Sequence, residues 1–354
     1  MAIDWSGSMQ QTFEYYKVDP ISWRDISEID TFTESTIKWD ADSNTLGSAS
    51  FATTEDIGEQ YIRAYLIAIQ NGIKNKICLG TFLGQTPSDS FDGRNHKLTI
   101  DGYTPLHELS ESSPPLGYTV MNSTTIMDTA AKLIRDNCRV PYIPVTENTK
   151  KLYSDFVANT DDTWLSFIKD LIANADYSFG LDETGQIIFK PYQSLPSLSP
   201  VWEFTDDNSS ILYPSITVER DLYNVPNVVE VCYSKSKGYL YGLAVNDDPG
   251  SITSTVSRGR KIVKRITNPS IVGNPTQEQI QKYAENQLRD LSTLEYKVSF
   301  THGYCPARIG DCIKLNYEAA GLVDVKAKIV SQEIKCTTGC EVADTAVYTK
   351  TLWG

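Results

Sequence analysis

The chain has 354 residues, 40% hydrophobic and 22% charged, which is enough for two or three domains with full cores and no need of staples. A formal net charge of −13 argues against a chain whose task is to grip phosphates, because nucleic-acid binders carry a basic face. The start, MAIDWSGSMQ, has neither basic residues nor an apolar core, and the longest uncharged apolar run is AYLIAI, so a signal peptide and a spanning helix are not expected.

The 20 Tyr, together with many Thr, Ser, Val and Ile, lean toward strands and predict a β-rich protein. In Thr36 to Thr54, two extended arms flank a turn built from Asp40, Asp42, Asn44 and Gly47. YIRAYLIAIQ and KICLGTFLG form a second hairpin across Asn71-Gly72, a dipeptide that supplies the positive φ of a tight turn. HKLTIDGY reads as another strand. The Pro-rich SESSPPLG, from Ser110 to Gly117, resists helix and sheet alike and marks a boundary.

Beyond it, Ile126, Ala130, Leu133, Ile134 and Cys138 fall on one face of a helix starting near Ser123 or Thr124, which makes Cys138 a small core residue. NTDDTW announces a second helix, capped by Asp161 or Asp162, with Trp164, Ile168, Leu171, Ile172 and Ala175 on one face. Tyr177 to Phe189 then alternates as a hairpin around Asp182 to Gly185. Pro191, Pro196 and Pro200 mark a second boundary.

Strands resume with SITVERD and NVVEVCYS, followed by the loop NDDPGS. The single basic cluster, RGRKIVKR (258 to 265), alternates with Ile262, Val263 and Ile266, as a strand with one solvated face does. Thr276 and Gln279 make the Thr-x-x-Gln form of a capping box. It opens a helix over 276–294 with Ile280, Tyr283, Ala284, Leu288, Leu291 and Leu294 in one stripe. At Tyr296 the period changes to two, with Tyr296, Val298, Phe300 and His302 on one side.

Candidate chemistry is sparse. Of three histidines, His96 lies in the turn GRNHK and His107 follows TPL, and neither has a cysteine or serine signature beside it. The chain has no Walker loop, G-x-G-x-x-G, H-E-x-x-H or G-x-S-x-G, so no catalytic residue, cofactor site or enzyme activity is assigned. The conspicuous stretch is Thr301 to Tyr317, THGYCPARIGDCIKLNY, with Cys336 and Cys340 beyond it. Cys305 and Cys312 stand seven apart and Cys336 and Cys340 four apart, which lacks the close C-x2-C grouping of a zinc site. Strand alternation also sets Cys312 with Lys314 and Asn316, opposite Ile313, Leu315 and Tyr317. No metal site is therefore predicted. The odd total of seven cysteines (Cys78, Cys138, Cys232, Cys305, Cys312, Cys336, Cys340), without export, predicts free thiols.

Several of these stretches together resemble one family. They are the β-rich start, DDTWLSFIKDLIANADYSFGLDETGQIIFKPY, VPNVVEVCY, TQEQIQKYAENQL and the motif P-x-x-I-G-D-x-I-x-L from Pro306 to Leu315. The chain resembles the baseplate hub proteins of contractile phage tails: the late control protein D family and the spike base of type VI secretion. The resemblance implies a β-rich α+β fold, with two tube-type β-barrel domains and an α+β insertion domain between them. The matching division is 1–112 for the first barrel, 113–195 for the insertion and 196–354 for the second barrel, with 196–225 open between the two barrels.

That resemblance implies a structural, non-enzymatic virion component. Its members are homotrimers that adapt a sixfold tail tube to a threefold central spike. The implied partners are other copies of the chain, the tail tube protein, the central spike protein, other baseplate proteins and the tape measure protein. DNA would pass through the lumen only in transit, with no membrane anchor. The implied location is the tail baseplate of a virion or phage-like particle, assembled in the cytoplasm of a bacterial host. Pro306 would then remove a donor at a bend, and Gly310-Asp311 would turn the chain before Ile313 and Leu315 re-enter the core. Two alternatives of other classes stand beside it. One is a tail-associated cell-wall hydrolase using Asp and Glu in a groove or His302 near Cys305; the other is a carbohydrate-binding adhesin using surface Tyr and Trp.

Overall fold

The computed structural model describes residues 3–93, 95–207, 210–236, 238–270 and 274–353. In chain order the elements are β1 (Gln10–Val18), β2 (Asp25–Glu28), β3 (Phe32–Asp40), β4 (Gly47–Thr53), β5 (Gln60–Gln70), β6 (Ile73–Asp92), β7 (Asn95–Tyr103) and α1 (His107–Ser110). Then come β8 (Thr119–Val120), α2 (Ile126–Asn137), β9 (Phe156–Val157), α3 (Trp164–Ala173), β10 (Tyr177–Leu181), β11 (Ile187–Pro191), β12 (Trp202–Thr205) and β13 (Leu212–Arg220). The rest is β14 (Val228–Ser234), β15 (Tyr239–Val245), α4 (Thr255–Arg258), β16 (Val263–Thr267), α5 (Gln277–Leu291), β17 (Thr293–Gly303), β18 (Cys312–Tyr317), β19 (Leu322–Lys335) and β20 (Glu341–Thr351). The protein is β-rich, and it divides into two compact units: Met1–Ile216 with Phe300–Ala346, and Thr217–Ser299 with Val347–Gly354.

In the first unit the strand order runs β19-β3-β4-β7-β6-β5-β1-β2, with β18 antiparallel to β19 and β12 parallel to β18. Hairpins account for most of this order, because antiparallel neighbours need only short turns. Asn71 (φ 51°) and Gly72 (φ 79°) close β5 onto β6, the left-handed pair that a two-residue turn demands. One face buries Ile37, Phe51, Ile62, Leu66, Phe82, Ile100 and Ile334.

A second core gathers Leu106, Ile126, Leu133, Trp164, Ile168, Leu171 and Ile187 with Val18, Tyr61 and Leu83. Its helix α3 is capped by Thr163 rather than Asp161 or Asp162. Thr163 Oγ1 accepts from Ser166 N (3.2 Å), while Ser166 Oγ accepts from Thr163 N (3.0 Å). Asp162 instead braces the preceding turn, accepting from Asn159 N at 2.7 Å. The β10–β11 hairpin is tied to the sheet chiefly through the Thr184 carbonyl. Thr184 C=O accepts from Trp23 Nε1 (2.9 Å), Arg63 Nη2 (3.1 Å) and Thr81 Oγ1 (2.7 Å).

In the second unit β14 lies between β15, antiparallel, and β16, parallel. Val229, Val231 and Ala244 of the sheet bury against Ile280, Ala284 and Leu288 of α5. The capping box at Thr276 and Gln279 is present in both directions. The helix is shorter than the apolar stripe predicts. It stops at Leu291, and Leu294 belongs to β17, because Ser292 closes the last turn and its carbonyl accepts from Leu352 N (2.9 Å), outside the helix. The basic cluster also starts differently. Arg258 ends α4, where Gly259 (φ 61°) reverses the chain, and only Val263–Thr267 is strand.

Candidate functional site

The stretch from His302 to Tyr317 is a corner between two strands. His302, in the last turn of alternation of β17, is wholly buried, as is Asp344 on β20. Asp344 Oδ2 lies 3.0 Å from His302 Nε2, and the Gly303 carbonyl lies 2.6 Å from Nδ1. The rings of Phe204 and Phe300 flank the imidazole at centroid distances of 4.6 and 5.6 Å. Burial by itself would lower the pKa of this histidine. Hydrogen bonds to Asp344 and Cys305 outweigh it and push the value up to about 10, so His302 is a buried imidazolium paired with a carboxylate.

Cysteine, histidine and aspartate side by side have the composition of a nucleophilic triad. No substrate reaches them, because Cys305 is 1% exposed and His302 and Asp344 are 0% exposed. The hydrolase alternative centred on His302 near Cys305 thus has no open site in this fold. The arrangement is a structural ion pair at the corner. Pro306 and the Arg308–Asp311 turn follow it, with Asp311 N donating to the Arg308 carbonyl (3.1 Å) and Asp311 Oδ2 accepting from Arg308 N (2.9 Å).

All seven cysteines are free thiols. Cys336 and Cys340 are buried beside Tyr15. Desolvation pushes Cys336 up to about 11 and Cys340 higher still, so both remain protonated at neutral pH. Burial does the same for Cys78 (about 11), whose S–H donates to the Glu183 carbonyl at 2.8 Å, and for Cys138 (about 12). Cys138 is half-buried against the helical core as expected, but from one residue past α2, in extended backbone, rather than from the helix face. Cys312 differs from expectation: it is buried with Ile313 rather than turned out with Lys314, because both faces are covered where β18 begins. Among the described residues no group of three or more His, Cys, Asp or Glu is placed to hold a metal ion. His107 stacks on Tyr103 and bonds Ser110, and the side chain of His96 lies outside the described residues.

The first unit also contains an open cavity of about 720 Å³, walled by Trp39, Phe179 and Ile309 and by Lys190, Arg308 and Lys328. Desolvation, with repulsion from Lys328, holds the Lys190 ammonium below the usual lysine range against the pull of Asp311. Arg308 donates Nη2 to the Cys78 carbonyl (3.0 Å) and lies 5.6 Å over the Tyr304 ring, and its buried Nη1 has no acceptor among the described residues. Such walls suit an anionic group carried on an apolar body. The sequence shows no pattern for this cluster, since its members come from β11, the corner and β19. Asp344 did leave a trace, because Val342, Asp344 and Ala346 alternate onto one buried face.

The backbone is similar to that of a tail protein from Neisseria meningitidis MC58, at 13% identity, 97% of this chain, 98% of that chain and a TM-score of 0.62. It is similar also to the 43 kDa tail protein of prophage MuSo2 from Shewanella oneidensis, at 12% identity, 95% and 98% coverage and a TM-score of 0.57. This chain has the fold of phage tail proteins. A chain of the Francisella PdpA–VgrG complex is similar over 96% of this chain and 58% of its own length, at 8% identity and a TM-score of 0.54. The resemblance seen in the sequence therefore extends to the backbone path. No family model matches the chain, and no curated protein matches it in sequence.

Proposed function

We propose that this chain is the structural hub of a contractile-tail baseplate, a homotrimer that adapts the sixfold tail tube to the threefold central spike. The observation that supports it is a backbone likeness to tail proteins that runs nearly end to end in both chains. In this reading residues 1–112 and 196–354 serve as tube-like barrel domains and 113–195 as the insertion between them. The tail tube, the spike, other baseplate proteins and the tape measure protein are the partners. The location is the baseplate of a virion or phage-like particle. No catalytic step is assigned.

The net charge of −13 has a use in this arrangement, because an acidic lumen repels DNA from its wall and lets it slide. A basic lumen in the assembled ring would sink that idea. The reading as a whole is tested by the mass and shape of the purified protein. A ring of three chains of 39.5 kDa with a central channel is expected, and a compact monomer overturns it.

A further inference from the structure

The edge strand β15 meets a pair of glutamines on α5. Gln277 takes the Tyr241 backbone from both sides, its Oε1 accepting from Tyr241 N (3.4 Å) and its Nε2 donating to Tyr241 O (2.5 Å). Gln281 does the same one step on, accepting from Leu243 N (3.0 Å) and donating to Leu243 O (2.8 Å). These N–H and C=O groups point away from β14 and are the ones a further strand would use. The spacings explain the match: four helical residues rise about 6 Å and two strand residues about 6.8 Å. Gly242 lets the helix come this close, since a Cβ there would stand 2.5 Å from the Ile280 carbonyl oxygen.

We propose that Gln277 and Gln281 act as a stand-in strand that closes β15 to strand addition by a second copy of the chain. The edge requires it, because a seven-residue edge strand with Tyr239, Tyr241 and Leu243 exposed is a template for pairing. The opposite edge, β16, is guarded by other means, carrying Lys264 and Arg265 exposed. Lateral growth of this sheet is thereby confined to β16, where a partner strand must answer positive charge.

The test compares the full chain with its Gln277→Ala/Gln281→Ala variant by backbone amide exchange and by self-association against concentration. In the variant the Tyr241 and Leu243 amides should lose protection by roughly 2- to 10-fold, the range set by the net strength of one hydrogen bond. It should also form assemblies larger than the parent's at the same concentration, and Leu243→Lys added to it should reverse that gain. Unchanged protection at Tyr241 and Leu243, or lost protection with no gain in association, overturns the proposal. Protection at Val229 and Val231 reports that the sheet is still folded, and the single Gln281→Ala variant gives the same readouts should the double variant unfold. Because the comparison is between variants, its result does not depend on whether the parent assembles as a trimer.

Discussion

His302 and Asp344 show how a titratable pair can be committed to architecture. An unfolded histidine titrates near 6.5, and in the fold this one keeps its proton to about 10. Its stabilisation is complete below pH 6.5 and fades as the pH rises toward 10. Urea midpoints should therefore fall between about pH 6.5 and 7.5, below the range where unfolded thiols ionise. In Asp344→Asn the fall should flatten, and the variant should lose about 3–5 kcal/mol at neutral pH because buried His302 must either give up its proton or stay charged without its partner. A flat parent profile would rule this out. Glu108 behaves in the opposite sense. Burial raises its pKa, but Arg139 and Tyr61, bonded at 2.6 Å each, hold it below the ordinary carboxylate value. That stability is present above the unfolded value of about 4.5 and is lost on acidification. Glu108→Gln is expected to cost about 1–3 kcal/mol near neutrality, with the difference from the parent shrinking in acid melts.

At the scale of elements, local signals and tertiary context decide different things. The capping box at Thr276 opens α5 where its Thr-x-x-Gln pattern predicts, since both partners are three residues apart and need nothing from the rest of the chain. Thr276→Ala should cost about 1 kcal/mol, read as a lower thermal midpoint with α5 amides exchanging faster. The end of α5 was less legible. Leu294 keeps the apolar period, yet β17 claims it, because pairing with another strand outweighs one more helical turn. The cap of α3 was misplaced for a similar reason. Asp161, Asp162 and Thr163 are all competent caps, and only the Ser166 hydroxyl reaching back selects Thr163. Gly242→Ala sets the opposite expectation. The added methyl meets the Ile280 carbonyl at 2.5 Å, so the helix must retreat, at about 1–3 kcal/mol, with weakened protection at Tyr241 and Leu243.

For the whole molecule, charge governs how copies meet. Each chain carries −13, so copies repel at long range and association through short-range contacts is opposed at low ionic strength. Raising salt from about 0.05 to 0.5 M, which shortens the screening length from above 10 Å to a few Å, should tighten self-association measured by sedimentation. Weakening with salt would instead mean that complementary charges hold the copies together.

Taken alone, the sequence determined what depends on near neighbours along the chain: the hairpin at Asn71-Gly72, the faces of α2 and α3, the opening of α5 and the alternation through His302. Its motif from Pro306 to Leu315, taken with the order of the other elements, pointed to the tail-protein fold, and the motif's bend, turn and re-entering strand are encoded within ten residues. Tertiary structure alone decided the partner of His302, the burial of Cys312, the convergence of Lys190, Arg308 and Lys328, and the glutamine clasp on β15. Each of these joins residues far apart in the chain, and such contacts are set by packing and hydrogen-bond geometry that no local spacing records.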